Sequence, residues 1–160
     1  MRVSPCGFAA RTAGEARSLA VAVTEVTHNH PEALKAAQAV AEAIFLARTG
    51  ERPARIRAYI ERQYYPLRFT LDEIRPRYSF DVSCQGSVPQ AFEALFEATD
   101  FEDAIRNAVS VGGDSDTIAA ITGGMAQALF GIPAALRTGA FGYMNAHQRS
   151  VLQEFERTFA

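Results

Sequence analysis

The chain has 160 residues, a length that predicts a single domain over residues 1–160 with a substantial core. Its formal net charge is −2, so no excess of basic residues indicates a nucleic-acid partner. No segment is long and apolar enough to span a membrane and no secretory signal accompanies Cys6 and Cys84, so we expect a cytoplasmic protein with free thiols and no membrane partner.

The first part of the chain is predicted to form two helices joined by a histidine-rich corner. Residues 1–14 contain Pro5 and two glycines and are predicted to be a loop that leads into a helix. Residues 27–30 break the helical pattern, and Pro31 is suited to the first position of a second helix that ends near residue 48. The first helix is predicted over residues 15–26, where apolar side chains recur at helical spacing: Leu19, Ala22, Val23 and Val26.

The middle of the chain is predicted to contain one long helix, one short helix and a loop. Pro53 begins the long helix, which ends near Tyr64. Thr70 and Glu73 have the spacing of a capping box, in which each side chain bonds to the backbone of the other residue, so a short helix is predicted here. Residues 75–86 are predicted to be a loop.

Two more helices are predicted before residue 112. A second capping box, formed by Ser87 and Gln90, is predicted to open the first of them. Asp100 is predicted to cap the second, whose Ile105 and Val109 are predicted to face the core.

The end of the chain is predicted to contain short helical segments. We expect a helical turn at residues 133–136, a loop around Phe141 at residues 139–142, and a helix over residues 150–159. No stretch of the sequence alternates apolar and polar residues as a strand does. The sequence therefore predicts an all-α fold.

The run Gly-Gly-Asp-Ser-Asp-Thr at residues 112–117 precedes an apolar helix at residues 118–130. Because this helix has no polar face, it is predicted to lie at the centre of the fold. Its N-terminus then carries Asp114 and Asp116 into the interior, where a carboxylate requires a cation or hydrogen bonds. The chain is predicted to be organised around this segment.

The spacing of the two aspartates allows two interpretations. Both cannot bind one cation if both are helical, because residues i and i+2 point in different directions. If Asp116 is the N-cap, Asp114 precedes the helix, and both carboxylates can converge with the Thr117 hydroxyl on a hard divalent cation. Gly112 and Gly113 then permit a sharp turn and the close approach of a ligand. The alternative is that Asp116 only caps the helix and Asp114 is a solvated turn residue.

The histidine-rich corner also allows two interpretations. His28 and His30 are two residues apart, and neither a cysteine nor a third histidine lies nearby in the sequence, which argues against a zinc site. The alternative is that one histidine caps a helix and the other hydrogen-bonds locally.

Several segments resemble the ADP-ribosylglycohydrolase family. Residues 112–124 resemble its C-terminal signature, and residues 1–5, 27–33, and 87–91 with 100–106 resemble further family segments in the same order. The resemblance implies an orthogonal helical bundle of which this chain is the C-terminal portion, truncated at the N-terminus. The family's N-terminal half, with its Thr-Asp-Asp-Thr metal motif, has no match in this sequence.

The resemblance implies an activity and a set of site residues. The family uses two Mg²⁺ or Mn²⁺ ions to hydrolyse the glycosidic bond between ADP-ribose and a protein side chain. No catalytic residue beyond the metal ligands is assigned. The metal ligands are expected to be Asp114, Asp116 and Thr117, and the substrate-binding residues are expected to be His28, Gly112, Gly113 and Ser115.

A charge count indicates that the sequence supplies only half of such a site. Two Mg²⁺ ions carry four positive charges, the motif supplies two negative ones, and each ion binds about six oxygens. The other acidic residues are spread singly along helices, as at Glu15, Glu25, Glu42 and Glu93.

Three hypotheses follow from this shortage of ligands. In the first, the missing ligands come from a second polypeptide or from a part of the natural protein that is absent from this sequence, and the completed enzyme hydrolyses ADP-ribosylated protein. In the second, the chain is a degenerate relative that binds ADP-ribose or metal weakly. In the third, it is a helical interaction module in which the aspartates only cap a helix.

Self-association is a further prediction of the sequence. A helix that is apolar on all sides needs cover on every side, and a truncated bundle leaves apolar surface exposed to water. We therefore expect a homodimer, the commonest symmetric assembly. Light scattering that gives a single monomeric mass at micromolar concentration would contradict this prediction.

Overall fold

The computed structural model describes residues 1–159, and in this part of the chain the regular structure is entirely helical. The predicted all-α class is confirmed. None of these helices combines the length and the apolar character needed to cross a bilayer. Ten helices follow one another along the chain: α1 (Ser4–Ala9), α2 (Ala13–Glu25), α3 (Pro31–Arg48), α4 (Pro53–Gln63), α5 (Leu71–Ile74), α6 (Cys84–Phe96), α7 (Phe101–Ser110), α8 (Ser115–Phe130), α9 (Ala134–Gly142) and α10 (Ala146–Phe159).

Helix α8 lies at the centre of the bundle, as its apolar composition predicts. It packs against α1, α3, α6 and α7, and Ile118, Ile121 and Met125 are buried. Thr122, also fully buried, donates its hydroxyl hydrogen to the Ala91 carbonyl oxygen of α6 at 3.1 Å. Burial of these side chains removes a large apolar area from water, which is the main favourable term for the fold.

Glycines let the helices around α8 approach closely. A Cβ atom added to Gly7 of α1 would lie 2.6 Å from the Ala41 carbonyl oxygen of α3 and 2.6 Å from Ile44 Cβ. A Cβ atom on Gly124 of α8 would clash with the side chain of Ser4 in α1. Gly7 in α1 and Gly124 in α8 therefore permit close packing of these helices, and this packing offsets the low helix propensity of glycine.

Several predicted helix starts are confirmed. Pro31 is the first residue of α3, and Pro53 is the first residue of α4. Thr70 and Glu73 form the predicted capping box of α5. Asp100 caps α7, where its carboxylate accepts a hydrogen bond from the Asp103 amide at 2.8 Å.

Two predicted starts were wrong. Residues 1–14 are not a loop throughout, because Pro5 fits the first turn of α1 and Gly7 packs against α3. Ser87 does not open α6, because the helix begins three residues earlier with Ser83 as the N-cap. Ser87 is buried inside the helix and donates its hydroxyl hydrogen to the Ser83 carbonyl oxygen at 3.0 Å.

Small residues form the buried faces of two helices, and the prediction that Val109 faces the core was wrong. Helix α2 packs on α3 through a face of small residues that includes Ala16, Ala20 and Thr24, whereas Val26 is 74 % exposed. In α7 the small residues Ala104 and Ala108 are buried and Val109 is exposed. Small side chains occupy these contacts because they let two helices approach closely, whereas a bulky aliphatic residue would hold the helices apart.

The last two helices lie outside the buried core. The predicted loop around Phe141 is instead part of α9, and α10 begins four residues before the predicted start, at Ala146. The Arg137 guanidinium joins the two helices through two hydrogen bonds to the Glu156 carboxylate, and it lies over the Phe141 ring. Neither helix has a buried residue. The self-association expected from the sequence stays a prediction.

The close contact at Gly7 leads to a test with a matched pair of substitutions. Gly7→Ala should lower the free energy of unfolding by about 1–3 kcal/mol, because the added methyl group meets the backbone of α3. Gly139→Ala in α9 is the control, since nothing lies within 4 Å of the added Cβ atom. Alanine at position 139 should raise stability by up to about 1 kcal/mol through its better helix propensity. Chemical denaturation of both variants measures the difference, and equal effects would contradict the close contact.

Candidate functional site

The turn between α7 and α8 is built from two consecutive glycines in left-handed conformation. Gly112 has a φ angle of +79° and Gly113 has a φ angle of +57°. An L-residue adopts such angles only at a cost, so the paired glycines are the reason why the chain reverses here within a few residues. The predicted sharp turn is confirmed.

An aromatic side chain from the loop before α6 packs against this turn. A Cβ atom on Gly113 would lie 2.6 Å from Tyr78 Cε1. The Tyr78 hydroxyl donates to the Gly86 carbonyl oxygen at 2.6 Å, which fixes the ring between the turn and α6. Burial raises the pKa of Tyr78, and the carboxylates of Asp81 and Asp114 raise it further. The close approach at Gly113 is therefore to Tyr78.

Asp114, and not Asp116, is the N-cap of α8, so the prediction of the cap residue was wrong by two positions. The backbone explains why. Asp114 follows the two glycines with a ψ angle of 53°, whereas the bonded cap residues Thr12 and Ser83 have ψ angles of 158° and 152°. In this conformation the Asp114 carboxylate makes no capping hydrogen bond.

Asp116 and Ser115 lie in the first turn of α8. Asp116 is exposed, and its Oδ1 atom accepts a hydrogen bond from the Thr117 amide at 2.9 Å. Ser115 is the first residue of the helix. The Asp116 carboxylate is thus engaged with the backbone of the first turn, whereas that of Asp114 makes no capping bond.

Asp114, Thr117 and His28 line one open cleft of about 250 Å³. The cleft lies between the corner that joins α2 to α3, the start of α6 and the start of α8. Its polar lining also includes Thr24 and Arg2. The apolar part consists of small and branched side chains: Ala33, Ala36, Ala37, Val40, Val88 and Ile121. Three of the residues that the family resemblance assigned to metal or substrate, Asp114, Thr117 and His28, thus line one cleft, and their roles stay predictions.

The two histidines of the corner have different roles in the structure. His30 is the N-cap of α3, and its Nδ1 atom accepts a hydrogen bond from the Glu32 amide at 3.2 Å. His28 is exposed, and its Nδ1 atom pairs with the Thr27 hydroxyl at 2.8 Å. This matches the interpretation in which one histidine caps a helix and the other bonds locally, and it leaves the second ring nitrogen of His28 beside the cleft.

The other predicted site residues lie near the cleft but do not line it. Gly112, Gly113, Ser115 and Asp116 are outside the set of lining residues, and their roles remain predictions. Sequence reasoning missed Thr24. No local pattern in the sequence marked Thr24, because its unpaired hydroxyl is visible only in the folded chain.

Two carboxylates that lie singly on separate helices are buried, and each has hydrogen-bond or ion-pair partners. Glu42 of α3 accepts a hydrogen bond from Tyr59 at 3.1 Å and one from Tyr64, and it forms an ion pair with Arg17 at 3.3 Å. Glu93 of α6 receives two hydrogen bonds from Arg57, at 2.9 and 3.0 Å. Both are therefore parts of the core.

The donor set of the cleft fits part of a metal site. A carboxylate from Asp114 and a hydroxyl from Thr117 are oxygen donors of the kind that Mg²⁺ and Mn²⁺ prefer. Asp114 is suitable because its carboxylate makes no capping hydrogen bond. In residues 1–159, however, no three acidic, histidine or cysteine side chains group closely enough to hold an ion. The described residues thus supply one side of an oxygen-ligand site.

The helical bundle and the acidic turn define a protein of the ADP-ribosylglycohydrolase class. The family model for ADP-ribosylglycohydrolase matches residues 1–157, and the chain belongs to this family. One similar solved structure is described as an "ADP-ribosylglycohydrolase-related protein complex", with a TM-score of 0.63 and 25 % sequence identity. That match covers 81 % of this chain and 49 % of the solved chain, so the present chain spans about half the length of that relative. No match was found among curated protein sequences.

The contact between Tyr78 and the glycine turn leads to a second matched pair. Gly112→Ala should cost about 1–2 kcal/mol of stability from its positive φ angle alone, because no atom lies within 4 Å of the added Cβ. Gly113→Ala should cost about 1–3 kcal/mol more, because its methyl group also overlaps Tyr78. Denaturation in the Tyr78→Leu background checks the cause. A difference between the two alanine variants that is unchanged in this background would rule out the contact.

Proposed function

We propose that the cleft is one side of a metal-dependent ADP-ribosyl hydrolase site. One observation carries the proposal: Asp114 occupies the cap position of α8 without making a capping bond, and it lines a cleft with Thr117 and His28. A carboxylate free of structural hydrogen bonds at a cleft is available to a cation. Family membership supports ADP-ribose as the ligand.

Each group in the cleft has a proposed role. Asp114 and Thr117 would hold a Mg²⁺ or Mn²⁺ ion through oxygen atoms, and exposed Asp116 would join them by rotating its side chain. When bound, the ion orients the sugar hydroxyls and lowers the pKa of a bound water. His28, with Nδ1 paired to the Thr27 hydroxyl, contacts the substrate through its other ring nitrogen. The modified protein side chain is the leaving group.

The size of the cleft limits how much of the substrate it holds. A cleft of about 250 Å³ lies below the usual range of about 300–1,000 Å³ for small-molecule sites. It accommodates a sugar ring but does not enclose a whole ADP-ribose. The residues that bind the rest of ADP-ribose, and the remaining acidic ligands of the metal, are proposed to come from a complementing N-terminal polypeptide or from a homodimer partner.

A degenerate relative that binds without catalysis is the second candidate. The shortage of acidic ligands in residues 1–159 favours it. This candidate predicts weak binding of Mn²⁺ or ADP-ribose and no turnover. The helical interaction module has less support, since Asp114 makes no side-chain capping bond.

Calorimetric titration with Mn²⁺ tests the proposed metal ligand. Asp114→Asn should weaken Mn²⁺ binding at least about tenfold, because it removes a charged oxygen ligand. Asp72→Asn is the matched control, since Asp72 is highly exposed and pairs only with Arg75. Equal affinity of wild type and Asp114→Asn, or no Mn²⁺ binding by the wild type, would contradict the proposal.

Hydrolysis of an ADP-ribosylated peptide in the presence of Mg²⁺ separates the two candidates. The assay compares the chain alone with the chain plus an N-terminal half that carries the Thr-Asp-Asp-Thr motif. Turnover in the complemented sample, and its loss in Asp114→Asn, supports the hydrolase. Turnover by the chain alone would exclude the non-catalytic relative, and no turnover in either sample would exclude the hydrolase.

A further inference from the structure

Thr24, near the C-terminal end of α2, has a side chain that the fold does not use. The residue is 8 % exposed, and its Oγ1 atom is buried without a hydrogen-bond partner in residues 1–159. A threonine in a helix usually donates to the carbonyl oxygen one turn earlier. A buried hydroxyl without a partner costs about 1–3 kcal/mol, so this group requires an explanation.

The surroundings of Thr24 show that its backbone and its neighbours are already paired. Its carbonyl oxygen accepts hydrogen bonds from the Thr27 amide at 3.1 Å and the His28 amide at 2.8 Å. The hydroxyls of Ser83 and Ser87, which also line the cleft, bond to the backbone around the start of α6. Buried polar atoms of Glu32, Tyr65 and Gln90 also lack a hydrogen-bond partner in residues 1–159, but among these four residues only Thr24 lines the cleft.

Thr24 lines the same cleft as Asp114, Thr117 and His28. Its Oγ1 atom has no appreciable accessible surface in this conformation, so a ligand in the cleft can supply the missing partner once rotation about the Cα–Cβ bond of Thr24 brings the hydroxyl to the cleft wall. The nearby lining from α3 consists of apolar side chains, including Ala36, Ala37 and Val40, so this region offers few competing polar partners. A ligand group that reaches it must bring its own hydroxyl or another polar atom.

We propose that Thr24 is a further ligand-binding residue, whose hydroxyl forms a hydrogen bond with a hydroxyl of the terminal ribose of ADP-ribose. This inference rests on the proposed function, because it takes ADP-ribose as the ligand. It adds a contact within the chain that is independent of the metal ligands. It also explains why a valine, which has the same shape, does not occupy this buried position.

The proposal predicts opposite effects of one substitution on stability and on binding. Thr24→Val removes the unpaired hydroxyl and keeps the shape, so the midpoint of chemical denaturation should rise or stay unchanged. Its affinity for ADP-ribose, measured by calorimetry with Mn²⁺ present, should fall about fivefold to tenfold, as expected for one lost hydrogen bond. Affinity for ADP, which lacks the terminal ribose, should not change. Thr24→Ser should retain most of the affinity for ADP-ribose.

Thr122→Val is the matched control. Thr122 is also a buried helical threonine, but its hydroxyl donates to the Ala91 carbonyl oxygen at 3.1 Å. Its denaturation midpoint should fall while its affinity for ADP-ribose stays unchanged. A midpoint that falls in Thr122→Val but not in Thr24→Val identifies the hydroxyl of Thr24 as unpaired in the folded chain.

The possible outcomes separate this inference from the proposed function. If the wild type binds ADP-ribose and Thr24→Val binds it equally well, the inference is wrong and the proposed function stands; a buried water then accounts for the hydroxyl. Equal losses of affinity for ADP-ribose and for ADP would also overturn the assignment to the ribose. A wild-type chain that binds neither ADP-ribose nor Mn²⁺ would overturn both.

Discussion

The fold depends on the burial of one helix that has no polar face. Helix α8 reaches the centre only because its neighbours approach closely, and glycines at the contacts with α1 and α3 make this approach sterically possible. The chain must enter this buried helix from the surface. It does so through Gly112 and Gly113, which reverse its direction beside Tyr78. The position of the acidic motif thus follows from the packing of the core.

Polar groups inside the bundle fall into two classes. Glu42 and Glu93 are buried and have partners from other helices, so their burial is compensated by hydrogen bonds and opposite charge. Thr122 is likewise bonded across α6 and α8. At the cleft the situation differs, since Thr24 has no partner and Asp114 makes no capping bond. Thr24 and Asp114 thus differ from these paired core groups; buried polar atoms of Tyr65 and Gln90, which do not line the cleft, also lack a hydrogen-bond partner in residues 1–159.

The sequence predicted the helix starts at Pro31, Pro53 and Asp100 because each depends on local chemistry. Proline fits the first turn of a helix without needing an amide hydrogen, and aspartate accepts hydrogen bonds from amides of that turn. The cap at Ser83 was missed because Ser87, four residues later, has the same local signals. Two overlapping local patterns cannot be separated without knowing that Ser87 is buried.

The buried faces and the cleft needed information that local patterns do not contain. Val109 was assigned to the core on hydrophobicity, but the neighbouring Ala104 and Ala108 are the buried residues of α7. The family resemblance brought His28 to the side of Asp114, although more than eighty residues separate them in the sequence. Thr24 carried no such signal, since its importance lies in a missing hydrogen bond, and a missing bond is visible only in three dimensions.

The cap of α8 can be compared with the other helix starts of the described chain. Thr12, Thr70, Ser83 and Asp100 all have side chains suited to capping, and each accepts a backbone hydrogen bond. Asp114 has an equally suitable side chain and makes no such bond. A capping bond contributes about 1 kcal/mol, and the glycine turn prevents it by holding Asp114 away from the extended conformation of the other caps. The glycine turn therefore accounts for the missing capping bond and leaves the Asp114 carboxylate available to the proposed ligand.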